Sequence, residues 1–122
     1  MNILVTGHSS GIGKKILQQC LKNEHKVYGI SRRLSSEIKP EFQIGADLSS
    51  FEGITEAKDW LNNKKIDVFI HCAGSNEIIE LINASKENYH YSFNLHVLSA
   101  TQLIIPIINN MKVCGGKIIL IS

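Results

Sequence analysis

The chain has 122 residues, room for a single domain spanning 1–122 and no second one. Thirteen Lys and Arg against eleven Asp and Glu leave a formal charge of +2, too balanced for a surface that neutralises a run of phosphates, so nucleic acid is excluded as the main partner. Hydrophobic residues at 43% and charged residues at 20% exclude disorder and collagen-like structure, and a chain of this length buries roughly two-thirds of its unfolded surface in one core.

Two hydrophobic periods alternate along the chain. Asn2 to Thr6 is a short β-branched run broken by Gly7 and reads as a buried strand. From Gly11 the period becomes helical: Ile12, Ile16, Leu17, Cys20 and Leu21 share a face, with Lys14, Lys15, Gln18, Gln19 and Lys22 opposite. Lys26 to Ser31 is the second strand and Phe42 to Ala46 a weaker third. Ser49 and Glu52 have capping-box spacing for a second helix, whose stripe is Phe51, Ile54, Ala57 and Leu61. Ile66 to His71 is the fourth strand, closed by Ala73-Gly74. Ser85 then caps a helical region running to Met111, in which Val97, Leu98, Leu103, Ile104, Ile105 and Ile108 leave little polar face. Such a helix should be well buried, with Pro106 as a kink. Gly115-Gly116 turn the chain into the fifth strand, Lys117 to Ser122, whose continuous apolar character implies cover on both faces.

Strands alternating with helices imply a parallel sheet with right-handed crossovers and helices on both sides, a doubly wound α/β architecture. Ligands of such sheets bind beyond the carboxyl ends of the strands, where the strand order reverses. The strand ends are therefore the places to search.

After the first strand stands Thr6-Gly7-His8-Ser9-Ser10-Gly11-Ile12-Gly13-Lys14. A diphosphate needs bare backbone N–H groups at close range and the positive end of a helix, and Gly7, Gly11 and Gly13 permit both the turn and the approach. Ser9 and Ser10 either donate hydroxyls to the ligand or serve as solvated capping residues. The second strand ends in Ser31-Arg32-Arg33. An acidic residue there holds an adenosine ribose 2′-hydroxyl, whereas an Arg accommodates a 2′-phosphate; two arginines and no acid favour NADP(H) over NAD(H), unless the pair is only a solvated basic loop. After the third strand, Asp47 either accepts from an adenine amino group or starts the following helix, and Leu48 would pack on the ring. After the fourth, Cys72-Ala73-Gly74 are small enough for a cofactor to lie against the backbone, and Cys72 is either a small buried residue or a reactive thiol. Asn94, in an apolar helical stretch, must be paired or functional.

Cys20, Cys72 and Cys114 are an odd, widely spaced set without a Cys-x-x-Cys pair, which fits a reducing compartment. Only Ile3, Leu4 and Val5 form an apolar run before Thr6, too short for a signal-peptide core, and Leu103 to Ile108 is far short of the ~18 apolar residues of a spanning helix. A cytoplasmic protein without a membrane segment is expected, and the sequon Asn83-Ala84-Ser85 is a coincidence. The five histidines make no metal pattern, and no metal is assigned.

Together these pieces resemble the short-chain dehydrogenase/reductase family. Thr6-Gly7-x-x-x-Gly11-Ile12-Gly13, Arg32-Arg33, Asp47-Leu48, Cys72-Ala73-Gly74, Asn94 and the strand from Gly116 to Ser122 occur in that family's order. Cys72 is a departure, because family members usually carry Asn there to tie the fourth strand to its neighbours. The resemblance implies a Rossmann-type sheet of about five strands in order 3-2-1-4-5, incomplete relative to the family after the fifth, and an oxidoreductase moving hydride between a nicotinamide and a carbonyl or alcohol. In the family a Tyr is the general acid/base, a Lys four residues later lowers its pKa, a Ser orients the carbonyl and an Asn supports a proton relay. Asn94 corresponds to that Asn, and Ser122 to that Ser or its neighbour. No Tyr-x-x-x-Lys occurs: Tyr28 leads to Arg32, Tyr89 to Phe93 and Tyr91 to Leu95. The chain alone is therefore expected to bind NADP(H) without turnover. Its uncharged, β-prone last strand, 117–122, is expected to self-associate or to take a C-terminal partner. The alternative is a non-catalytic dinucleotide-binding or interaction module that dimerises through that strand.

Overall fold

A computed structural model of the chain describes residues 1–75 and 77–122. Strands β1 (Asn2–Thr6), β2 (Lys26–Ser31), β3 (Gln43–Gly45), β4 (Val68–His71) and β5 (Lys117–Leu120) form one parallel sheet in the order β3-β2-β1-β4-β5. β1 is central, with Leu4 opposite Tyr28 of β2 and opposite Phe69 of β4. Alternate strand residues face opposite sides, so the sheet separates two cores. Ile3, Val5, Val27, Val68 and Ile70 pack with Leu17 of helix α1 (Gly11–Lys22) on one side. On the other, Leu4, Tyr28, Ile30 and Phe69 pack with Ile54, Ala57 and Leu61 of α2 (Phe51–Leu61) and with Leu103, Ile107 and Met111. This is the doubly wound architecture that the alternating periods predict.

Beyond β4 the helical region is not one helix. α3 (Lys86–Phe93) is capped by Ser85, whose hydroxyl accepts from the Asn88 amide at 3.3 Å, and runs through a π-helical turn at Asn94–Leu98 into α4 (Ser99–Ile104). Pro106 lacks the amide that would continue α4. The chain bends by 62° before α5 (Ile108–Cys114), which ends on Gly115 in the left-handed region. No single helix among the described residues is long and apolar enough to cross a membrane.

Four expectations are corrected. The cap of α2 is Ser50, whose hydroxyl accepts from Gly53 N–H at 3.0 Å; Ser49 instead bonds to Asp47. Its stripe begins at Ile54, because Phe51 points outward at 74% exposure. The region 85–111 is not buried throughout: α3 contributes no buried residue, and Val97 and Ile105 are exposed. Nor is β5 covered on both faces. Ile118, Ile119 and Leu120 are 40%, 42% and 58% exposed at this end of the sheet, where β4 is the only strand neighbour among the described residues.

Phe69 is fully buried at the sheet centre, so Phe69→Ala is expected to lower stability by about 3–5 kcal/mol. Ser50→Ala should cost about 1 kcal/mol through its lost cap, both read from urea unfolding midpoints.

Candidate functional site

A cleft of about 400 Å³ opens where the chain leaves β1 in one direction for β2 and β3 and in the other for β4 and β5. Gly7, Ser9, Ser10, Gly11, Ile12 and Gly13 line it from the β1–α1 turn, Arg32 and Arg33 from the end of β2, and Asp47 and Leu48 from the end of β3. Cys72, Ala73 and Gly74 line it from the end of β4, and Ser122 from beyond β5. Sequence separations of more than a hundred residues thus close onto one concavity.

The turn is built by close backbone approach. Gly7 has φ +67°, and a Cβ on it would lie 2.9 Å from the Ala73 backbone; a Cβ on Gly13 would overlap the Gly7 carbonyl. Only glycine meets both conditions. The Gly7 amide donates to the Ile30 carbonyl at 2.8 Å, which pins the turn to β2. Ser10 starts α1 in extended conformation, its side chain takes no helix amide, and the first turn carries no acid. The positive end of α1 is therefore open toward the cleft, as an anion site requires. Ile12 stands 62% exposed on this rim, which is why it leaves the buried stripe of α1. The Ser31 hydroxyl donates to Ser9 Oγ at 2.8 Å, leaving the Ser9 hydrogen free for a ligand.

Arg32 and Arg33 are exposed, and the one ion pair among the described residues, Lys14–Glu37 at 4.0 Å, involves neither. Asp47 is both at the start of α2 and in the cleft. Its Oδ1 accepts from the Ser49 hydroxyl at 2.6 Å and the Ser49 amide at 2.9 Å, and these bonds, with a smaller contribution from the Arg32 charge, hold its carboxyl below the ordinary range. Leu48 is buried at 2% exposure.

Under the cleft, Thr6 and His71 replace the tie that Cys72 does not make. Thr6 Oγ1 accepts from the Cys72 and Ala73 amides, both at 3.1 Å, so its own hydrogen points to His71 Nδ1 at 2.9 Å. A carbonyl only accepts, so His71 Nε2–H donates to Leu95 O at 3.1 Å. The imidazole is thereby neutral with one tautomer fixed. Burial pushes its pKa down, against the Leu95 carbonyl, which favours the proton. The same carbonyl, within the π turn, accepts from the Ser99 hydroxyl at 2.7 Å. Burial, then Cys20 nearby, pushes the Cys72 thiol up, so it stays protonated.

Asn94 does not line the cleft. Its Nδ2 donates to the Ser49 carbonyl at 3.1 Å, joining the π turn to the start of α2. The cleft also takes in Ile30, Ser31, Ala46, Tyr91, Leu95, His96 and Ile121. His96 Nε2 accepts from the Ser75 amide at 3.3 Å. A polar residue every few positions on α3 and the π turn was the one available signal for Tyr91 and His96, and it has the look of an ordinary solvated face. No cluster of three metal-ligating side chains occurs among the described residues.

Against known proteins, the whole chain, residues 1–122, matches the short chain dehydrogenase family. It is 33% identical over 113 residues to a decarboxylating sterol-4-alpha-carboxylate 3-dehydrogenase of Dictyostelium discoideum, covering 88% of this chain and 30% of that protein. To a 3-ketodihydrosphingosine reductase of Bacteroides thetaiotaomicron it is 30% identical, covering 98% of this chain and 46% of the other. A short chain dehydrogenase/reductase oxidoreductase from Brucella ovis, solved with a partially ordered NAD, shares the fold with a TM-score of 0.83 at 22% identity, covering 96% of this chain and 60% of that one. The chain spans less than half the length of both curated relatives.

His8 and His71 are both buried, and burial lowers the pKa of each from 6.5; the Gln43 side chain partly offsets this at His8. Below that value the unfolded chain binds more protons than the folded one, so stability is full above about pH 6.5 and falls as pH drops toward the native values. Urea midpoints should therefore fall between about pH 7.5 and about pH 5.5, with a shallower decline in His71→Gln; a flat profile in the parent protein would contradict a neutral His71.

Proposed function

The chain belongs to the short chain dehydrogenase family, and from that premise we propose that residues 1–122 form the NADP(H)-binding portion of an oxidoreductase acting between a carbonyl and an alcohol. The observation that carries this reading is one cleft holding both a glycine turn at an open helix start and two arginines without an ion-pair partner among the described residues. The cradle fits the group: Gly7 and Gly13 allow the close backbone approach that folds the turn, and Gly11, whose missing Cβ would face open space, leaves the start of α1 bare for a diphosphate.

When bound, the nicotinamide supplies the hydride chemistry. The start of α1 holds the diphosphate, with Ser9 and Ser10 as hydroxyl donors. Arg32 and Arg33 take the 2′-phosphate, since no acid follows β2 to claim a free ribose hydroxyl. Asp47 and Leu48 receive the adenine, and Cys72, Ala73 and Gly74 let the cofactor lie against β4. Ser122 stands at or beside the carbonyl-orienting position, and Asn94, outside the cleft, bears on the proton relay only by holding the π turn against the start of α2. The general acid/base pair Tyr-x-x-x-Lys is not among residues 1–122, so turnover depends on a Tyr and a Lys outside them. Dehydrogenase activity from purified residues 1–122 would overturn that division of labour.

A second reading, a non-catalytic dinucleotide module that pairs through β5, draws support from the exposed apolar length of that strand. It predicts a defined dimer in size-exclusion chromatography with NADPH, where the first reading predicts ill-defined self-association.

NADPH is expected to bind about 10- to 100-fold more tightly than NADH, the range one charge-assisted hydrogen bond commands. Fluorescence titration of Arg32→Ala should show most of that preference gone, and an unchanged ratio would remove Arg32 from the site.

A further inference from the structure

Two residues beside the glycine turn have no role in the site as described. His8, directly after Gly7, is fully buried; the Ile30 backbone lies close enough to favour its charged form, but its Nδ1 makes no hydrogen bond of good geometry among the described residues. Such an atom destabilises a fold, so a ring there needs a compensating use. Gly29, in the middle of β2, makes room for it: a Cβ at that position would stand 2.6 Å from His8 Cε1. β2 thus gives up a strand-favouring side chain to admit the imidazole.

The other ring nitrogen reaches Gln43, the first residue of β3, at 3.2 Å. Gln43 Nε2 donates to the Ser35 and Ile38 carbonyls, each at 2.7 Å, and Oε1 accepts from the Ser35 amide at 2.8 Å. With both amide hydrogens engaged, Oε1 is left to accept, so the hydrogen between the two side chains belongs to His8 Nε2. The bare Nδ1 follows from that assignment. Residues 32–39, which carry both arginines, contain no helix or strand. Their position rests on Ile38, which is buried in the core with Leu17, and on polar tethers, of which a buried one runs from Ser35 through Gln43 and His8 to the glycine turn. An exposed one runs from Glu37 to Gln18 at 3.3 Å and to Lys14.

We infer that His8 and Gln43 are a positioning pair that holds the arginine-bearing loop 32–39 at fixed spacing from the glycine turn, and so sets how strongly the protein distinguishes NADPH from NADH. The inference rests on the NADP(H) reading above. A ligand spanning both the turn and the arginines uses that spacing; a ligand without the 2′-phosphate uses only the turn. Gly29 belongs to the pair as the residue that admits the ring.

The test is fluorescence titration of NADPH and NADH with the parent protein, His8→Ala, Gln43→Leu and His8→Gln, and with His8→Ala in an Arg32→Ala background. His8→Ala and Gln43→Leu are expected to lower the NADPH:NADH affinity ratio about 3- to 10-fold, as loss of one hydrogen bond does, while NADH affinity moves less than about 2-fold. His8→Gln keeps a donor and should keep the ratio. With Arg32 already gone, His8→Ala should change the ratio no further, because the two act through the same contact. A parent ratio retained in both single variants, an equal loss for both nucleotides, or an undiminished effect without Arg32 overturns the pair and leaves the NADP(H) reading standing. A parent ratio near one sinks that reading as well. Should His8→Ala not fold, ¹⁵N NMR of the parent protein decides the geometry: protonated Nε2 with bare Nδ1 supports the pair, and the opposite tautomer overturns it.

Discussion

The contact on which the molecule depends is backbone against backbone, where the turn after β1 lies on the end of β4. Gly7 has no room for a Cβ because Ala73 occupies it, and Gly13 has none because the Gly7 carbonyl does. This fit brings the start of α1 to the mouth of the sheet and leaves its first turn facing the cleft rather than a neighbouring strand. The Gly7–Ile30 bond adds β2 to the same point. The three central strands therefore end on one small knot of main chain, and each positions its own following loop from there.

Below the knot, polar groups do what apolar packing cannot. The Thr6 hydroxyl, the His71 ring and the Leu95 carbonyl form a chain in which each donor has one acceptor. Fully satisfied networks of this kind fix a single arrangement, because any displacement leaves a buried polar atom bare. Cys72, which departs from the family pattern, is thereby relieved of holding β4 in place. Its sulfur, with a raised pKa, is a small packing group on the cleft wall.

The sequence was legible where local chemistry leaves one choice. Glycines at 7, 11 and 13 between a strand and a helix point to a tight, ligand-facing turn, and the alternation of periods leads to the parallel doubly wound sheet observed, whose strand order the family resemblance supplies. Legibility failed where the deciding partner is distant. His8 and His71 are unremarkable as a metal pattern, and their importance comes from Gln43, Thr6 and Leu95, which are 35, 65 and 24 residues away. Ser49 and Ser50 are equally good caps in isolation, and the Asp47 carboxylate decides between them by engaging Ser49. β5 looks like an interior strand because its residues are apolar, but cover depends on neighbours that its own residues do not encode.

The π turn at Asn94–Leu98 has the geometry of a one-residue insertion. Each residue of a helix advances the side-chain direction by about 100°, so the wide turn rotates everything before it relative to everything after. A single apolar stripe drawn from Ser85 to Met111 therefore follows no real surface. The rotation sends α3 outward while α4 keeps Leu103 on the sheet, and it aims Tyr91 at the cleft rim. Excision of one residue from that turn would restore a regular spiral and swing α3 about its axis by one residue's step, carrying Tyr91 away from the cleft rim.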